Sequence, residues 1–189
     1  MKLNKMIPML ILSLSFSLQG APKTVVTDIF ANGSGCPTMY PKIKVFKNSI
    51  NIFTHEMAAS LKPGDRLQRK NCQVTVNIKP RDGWYYEVEQ VRVSGWSDLD
   101  KNIVGSAKVS AYIQGYSEND FVDMDFRGPS RTGYVLRNWS QLKSQCGEDR
   151  ALNINTSILL RNRKYSGDFW GYLRMNEKIG LKINWKRCS

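Results

Sequence analysis

The sequence is poor in the groups that most hydrolytic and metal chemistry requires. It holds one histidine, His55, so a serine or cysteine nucleophile would depend on that residue for its base, and beyond Glu56 no nucleophile motif surrounds it. The four cysteines are widely spaced and only one histidine can join them, which excludes the usual zinc ligand sets. No uninterrupted apolar run reaches the roughly 20 residues that cross a bilayer; the run from Met6 to Leu18 is broken by Pro8 and three serines. No segment keeps a helical apolar period for three turns, which argues against a helical fold. Acidic residues are scarce as well, 16 Asp and Glu against 28 Lys and Arg, for a formal charge of +12.

What is present begins with an export signal. Lys2 and Lys5 precede the Met6 to Leu18 run, and small and polar residues follow it, the outline of a signal peptide over residues 1–20. The remainder, residues 21–189, is expected to be a single domain, large enough to bury about two thirds of its surface. No transmembrane anchor is expected, and the destination is secreted or periplasmic. The charge of +12, less Lys2 and Lys5, leaves +10 on that domain. Such an excess favours anionic partners, among them acidic polysaccharide, lipopolysaccharide or another acidic polymer; the competing reading is that it only keeps an exported protein soluble.

Cys36, Cys72, Cys146 and Cys188 all lie in the mature part, and an even count in an exported chain implies two disulfides. Of the three connectivities, Cys36 with Cys72 and Cys146 with Cys188 is favoured, because each bridge then joins segments within one half of the chain.

The dominant pattern is period-2 alternation. Cys72, Val74, Val76 and Ile78 share a parity, as do Ala107, Val109, Ala111 and Ile113, then Leu152, Ile154, Thr156, Ile158 and Leu160, and finally Ile179, Leu181, Ile183 and Trp185. Earlier, residues 24–30 read as a strand and residues 43–45 and 49–53 as a hairpin around Lys47-Asn48. Trp84, Tyr86 and Val88 have the opposite parity to Val91 and Val93, so a β-bulge near Gln90 is needed to turn both sets inward. Residues 55–65 break the pattern, and within them residues 55–61 suggest a short helical turn, ended by Pro63-Gly64-Asp65. Together these signals specify an antiparallel β-sandwich of about eight to ten strands, with a closed β-barrel as the runner-up.

Gly35-Cys36-Pro37, Lys70-Asn71-Cys72-Gln73, Cys146-Gly147 ahead of Leu152-Asn153-Ile154-Asn155, and the terminal Trp185-Lys186-Arg187-Cys188 occur in an order that resembles the secreted family known as domain of unknown function 4360. Pro80, Gly83-Trp84 and Gly95-Trp96 extend the resemblance over essentially the whole mature chain. The resemblance implies an exported four-cysteine domain and brings no activity with it. The spacer from Trp139-Ser140 to Cys146 is longer than the family pattern.

No cofactor or metal is implied. The acidic stretch 117–125 has oxygen ligands at alternating positions but lacks the glycine and terminal glutamate of an EF-hand. Glu87, Glu89, Asp98 and Asp100 are the carboxylates from which a glycosidase pair could be drawn. The aromatics Trp84, Tyr85, Tyr86, Trp96, Trp139, Trp170, Tyr172 and Trp185 invite a sugar-stacking reading, although a sandwich core needs at least half of them, Trp185 included. Basic residues cluster toward the C-terminus: Arg161, Arg163 and Lys164 in an apparent turn, and Lys182 and Lys186 on the wet face of the last strand. These five are the anion-binding candidates. The function expected is an exported, non-catalytic binding or envelope-associated protein contacting anionic polymers; the alternative is a polysaccharide-acting hydrolase using paired carboxylates.

Overall fold

A computed structural model describes residues 20–164 and 167–189. Apart from Gly20, the signal peptide expected over residues 1–20 lies outside the described residues. The elements in chain order are β1 (Val26–Asn32), β2 (Lys42–Phe46), β3 (Ser49–Phe53), β4 (Met57–Leu61), β5 (Leu67–Ile78), β6 (Trp84–Leu99), β7 (Ile103–Ile113), β8 (Asn119–Arg127), β9 (Ser130–Lys143), β10 (Arg150–Asn162), β11 (Gly171–Met175) and β12 (Lys178–Arg187).

They form two antiparallel sheets that do not close into a barrel. The first has five strands in the order β1-β5-β10-β7-β8. The second is built on β6, which takes β9 along one edge and β12 followed by β11 along the other. Beyond β12 lie β3 and β2, and beyond β11 lies β4. The inward parities of both sheets merge into one apolar core, with Val74, Val76, Val109 and Ile154 from one side and Ile52, Tyr86, Val88 and Leu181 from the other. Each such side chain, fully buried, contributes about 1.5–3 kcal/mol.

The sandwich expected from alternation is what forms, with twelve strands among the described residues instead of about eight to ten. The bulge is there as well: the register of β6 against both β12 and β9 skips Glu89 between Val88 and Gln90, so Trp84, Tyr86, Val88, Val91 and Val93 all face inward. Residues 55–61 are a correction. The expected helical turn is strand β4, which pairs with β11 and buries Met57, Ala59 and Leu61 at period 2. Its methionine, alanines and leucine are good helix formers, and the sheet edge offered by β11 overrides that preference.

Both disulfides form as the sequence favours, Cys36 with Cys72 and Cys146 with Cys188. The first depends on a glycine turn. Gly33 has φ +134°, and a Cβ there would collide with the Asn71 carbonyl oxygen, so only glycine lets the 33–36 turn lie against β5, where Gly35 N–H donates to that same carbonyl at 2.8 Å. At the other end of the sandwich Trp185 packs edge-on against Tyr86, ring centroids 5.9 Å apart, and its indole N–H donates to Thr24 Oγ1 at 3.1 Å. Burial pushes the Tyr86 phenol well above its ordinary pKa, so it stays a donor, aimed at the Arg150 carbonyl.

Candidate binding faces

Each sheet keeps one face for the core and leaves the other to solvent, so functional side chains sort by parity and by sheet. On the outer face of the seven-stranded sheet the pairing registers align Lys44, Asn51, Gly180, Arg92 and Arg137 in a row across β2, β3, β12, β6 and β9. Lys42 and Lys178 flank Phe53 in the next row, and Lys186 lies opposite Tyr85 further along β12. Among the described residues, none of Lys42, Lys44, Arg92, Arg137, Lys178 and Lys186 has a carboxylate within ion-pair distance. Three strand acids share this face and all are engaged, Glu89 with Lys182 at 2.8 Å, Asp98 with Arg131 at 2.8 Å and Glu87 with Lys143 at 3.9 Å. The face therefore carries a broad positive field.

Of the five anion-binding candidates, Lys182 and Lys186 stand here, Lys182 paired to Glu89 and Lys186 open to solvent. Arg161, Arg163 and Lys164 do not join them. β10 belongs to the other sheet, and Arg161 lies on that sheet's outer face, level with Leu67 of β5 and Val104 of β7. Arg161 and Arg163 line a depression of about 310 Å³ there, together with Arg127 and Asp125. The remaining cations of the basic face, Lys42, Lys44, Arg92 and Arg137, are too scattered along the sequence to form a visible cluster. The parity of β2 and β6 puts them on wet faces, but nothing local reveals that those faces are coplanar.

A model for the family described as Domain of unknown function (DUF4360) matches residues 22–188. The chain belongs to that family. A relative from Arthroderma benhamiae described as an uncharacterized secreted protein is 27% identical over 183 residues, covering 88% of this chain and 73% of its own length. This DUF4360 protein is likewise secreted or periplasmic, and no helix among the described residues is long and apolar enough to cross a membrane. Solved structures similar to it include a CBM61 domain in complex with β-1,4-galactotriose (13% identity, TM-score 0.27, 86% of this chain and 90% of that one). Another is the N-terminal cellulose-binding domain of Cellulomonas fimi β-1,4-glucanase C (8% identity, TM-score 0.27, 85% and 91%). TM-scores this low give the likeness no functional weight.

The other candidate chemistries of the DUF4360 domain are placed by its strands. His55 is exposed beside Thr38, its ring nitrogen sharing a hydrogen bond with that hydroxyl. Asp98 pairs with Arg131 at 2.8 Å, and Asp100 accepts the Trp170 backbone N–H at 2.8 Å. The acidic stretch 117–125 enters β8, where Asp120 accepts from Ser140 Oγ at 2.8 Å and Gln141 N–H at 3.1 Å, tying β8 to β9. No group of three or more His, Cys, Asp or Glu that could hold a metal occurs among the described residues.

The aromatics divide. Trp84, Tyr86 and Trp185 are core, whereas Trp96, Trp139 and Trp170 remain substantially exposed. Trp170 and Tyr172 lie nearly parallel, centroids 6.3 Å apart. Glu56 accepts from both the Tyr172 hydroxyl and Arg174 Nη1, at 3.4 and 2.6 Å, and burial, with Glu56 adding to it, raises the Tyr172 pKa.

Proposed function

We propose that this protein is an exported, non-catalytic binding protein that holds anionic polymers, of the acidic-polysaccharide or lipopolysaccharide kind, against the outer face of its seven-stranded sheet. The observation that carries this reading is the row Lys44, Arg92 and Arg137 with Lys42, Lys178 and Lys186 around it, six cations on one face with no carboxylate partner among the described residues. Strand spacing of about 4.8 Å puts Arg92 and Arg137 side by side and Lys44 about 14 Å from Arg92, a footprint suited to an extended chain with repeated negative charges. Lysines on flexible stems read charge without demanding one geometry, as expected of a surface that accepts a class of polymer.

The hydrolase alternative finds less support. Glu87, Glu89, Asp98 and Asp100 are each held by a cation or a backbone amide. Cleavage of a glycosidic bond needs two carboxyl groups flanking it, one of them able to hold a proton.

The test is retention of the mature protein by polygalacturonate, lipopolysaccharide and DNA as salt is raised from 50 to 500 mM. Affinity should fall steeply, and Lys42→Gln, Lys44→Gln, Arg92→Gln, Arg137→Gln and Lys186→Gln combined should flatten that dependence. Arg161→Gln, Arg163→Gln and Lys164→Gln combined, on the other sheet, should alter it less. Absence of binding at low salt to every anionic polymer, or a slope untouched by the first set, would refute the proposal.

A further inference from the structure

The outer face of the five-stranded sheet has a different character. Along the central strand β10, Asn155, Ser157 and Leu159 form the floor of a shallow trough, half-buried beneath longer side chains of the neighbouring strands. Arg69, Asn71 and Gln73 of β5 make one wall, and Ser106, Lys108 and Ser110 of β7, with Asp123 and Asp125 of β8 beyond, make the other. Two depressions, of about 410 and 290 Å³, share Arg69, Lys108 and Ser157 and so are continuous. From Asn155 to Leu159 the trough runs about 13 Å along the strand.

We propose that this trough is a binding groove for one extended, uncharged polysaccharide chain. Three observations select that occupant. First, the lining is dominated by amides and hydroxyls, and the side chains of Asn155, Ser157, Ser106 and Ser110 make no hydrogen bond to other protein groups among the described residues. They are donors and acceptors on rigid strands, left for something that bears hydroxyls along its length. Second, the charges of these two depressions balance, Arg69 and Lys108 against Asp123 and Asp125, and the surplus cations Arg127, Arg161 and Arg163 belong to the adjoining depression past Leu159, so along the amide-lined stretch a polyanion gains no net attraction and meets two carboxylates. Third, β10 is paired on both sides from Leu152 to Arg161, the whole of the trough, so the groove offers no free backbone edge for a peptide strand to extend.

The groove is also held in shape before any ligand arrives. Beyond Asn155, Asn153 is nearly buried and its Oδ1 accepts from Thr75 Oγ1 at 2.8 Å and from Gln73 Nε2 at 3.4 Å, which fixes the Gln73 amide through its nitrogen. On the opposite wall the Lys108 ammonium sits 4.2 Å from the centre of the exposed Phe121 ring, which keeps both on the rim. Preorganisation of this kind lowers the ordering cost that a flexible polar surface would carry into binding.

The proposal is independent of the basic face, which lies on the other sheet. Mature protein is titrated calorimetrically with cellohexaose, laminarihexaose, xylohexaose, mannohexaose and galactohexaose, and with hexagalacturonate and a twelve-residue oligothymidylate as charged probes. At least one neutral hexasaccharide should bind, with affinity changed less than twofold between 50 and 500 mM NaCl. Gln73→Ala and Asn155→Ala should each weaken it tenfold or more, and Ser157→Phe, which fills the floor from its solvent side, should abolish it with the melting temperature retained. The Lys44→Gln, Arg92→Gln variant should bind it as the parent does. No binding of any neutral hexasaccharide overturns the proposal, as do neutral binding that survives all three groove substitutions and groove binding confined to the charged probes.

Discussion

Replacing Cys146 and Cys188 by alanine tests how much of the stability of this sandwich is held in its covalent staples. The bridge ties the β9–β10 connection to the end of β12 across a sequence separation of 42. In the loop-entropy model a closed loop of that size is worth about 4 kcal/mol. The same region also has backbone hydrogen bonds, Gly147 N–H to the Trp84 carbonyl at 3.1 Å and Cys188 N–H to the Gly83 carbonyl at 3.0 Å, so the native geometry survives removal of the sulfurs and the loss falls mainly on the freed unfolded chain. For a domain of this size about 4 kcal/mol corresponds to a fall in Tm of about 8–16 °C. The Cys36–Cys72 bridge spans 36 residues and is worth nearly the same. The two loops do not overlap, so the losses should add to about 8 kcal/mol, comparable with a whole domain's usual stability of about 5–15 kcal/mol. Thermal melts and urea titrations of the two paired variants and the fourfold variant check this. A fall of less than about 2 °C in either paired variant, with an unchanged urea slope, would refute the entropic account.

Gly95→Ala should destabilise by about 3 kcal/mol or more, because a Cβ there collides with the Arg174 carbonyl oxygen and the Tyr134 ring; chemical denaturation would show it, and a shift under 1 kcal/mol would mean that β6 and β11 part easily. Glu148 donates no proton at neutral pH and accepts from Arg150 Nε at 2.8 Å, which holds its pKa below the ordinary value, with the Tyr116 hydroxyl adding to this. Its contribution is therefore present above the ordinary glutamate pKa and lost as pH falls through the lower folded value, so the stability gap between parent and Glu148→Gln should be open at pH 7 and close in acid; a constant gap across pH 2–7 in thermal melts contradicts this. Glu89→Gln releases Lys182 from its 2.8 Å pair and should tighten binding of polygalacturonate at low salt, read by the same retention assay; weaker binding would count against the basic face.

Local sequence specified a good deal of this molecule. Alternation is a property of neighbours two apart, so the inward sets 72–78, 107–113, 152–160 and 179–185 were legible, and the change of parity between Val88 and Val91 required the bulge that skips Glu89. Cysteine placement likewise favoured the two pairings found. What parity cannot carry is sheet membership. Arg161 reads as part of a turn and Lys186 as a wet-face cation, both near the C-terminus, yet Arg161 ends up in β10, and β10 and β12 lie in opposite sheets, so the cluster they form in sequence is divided in space. Lys44, Arg92 and Arg137 show the converse, since they meet only through pairings of β2, β3, β12, β6 and β9 that span most of the chain. β4 departs from its local signal for a related reason: five residues of helix-favouring composition hold no strand signal of their own, and the edge of β11, more than 100 residues later, supplies it. The sequence by itself determined which side chains each strand hides and which it shows. Only the tertiary structure decided which shown faces lie together, because that choice is made by hydrogen-bond pairing between distant strands and leaves no periodic trace in either one.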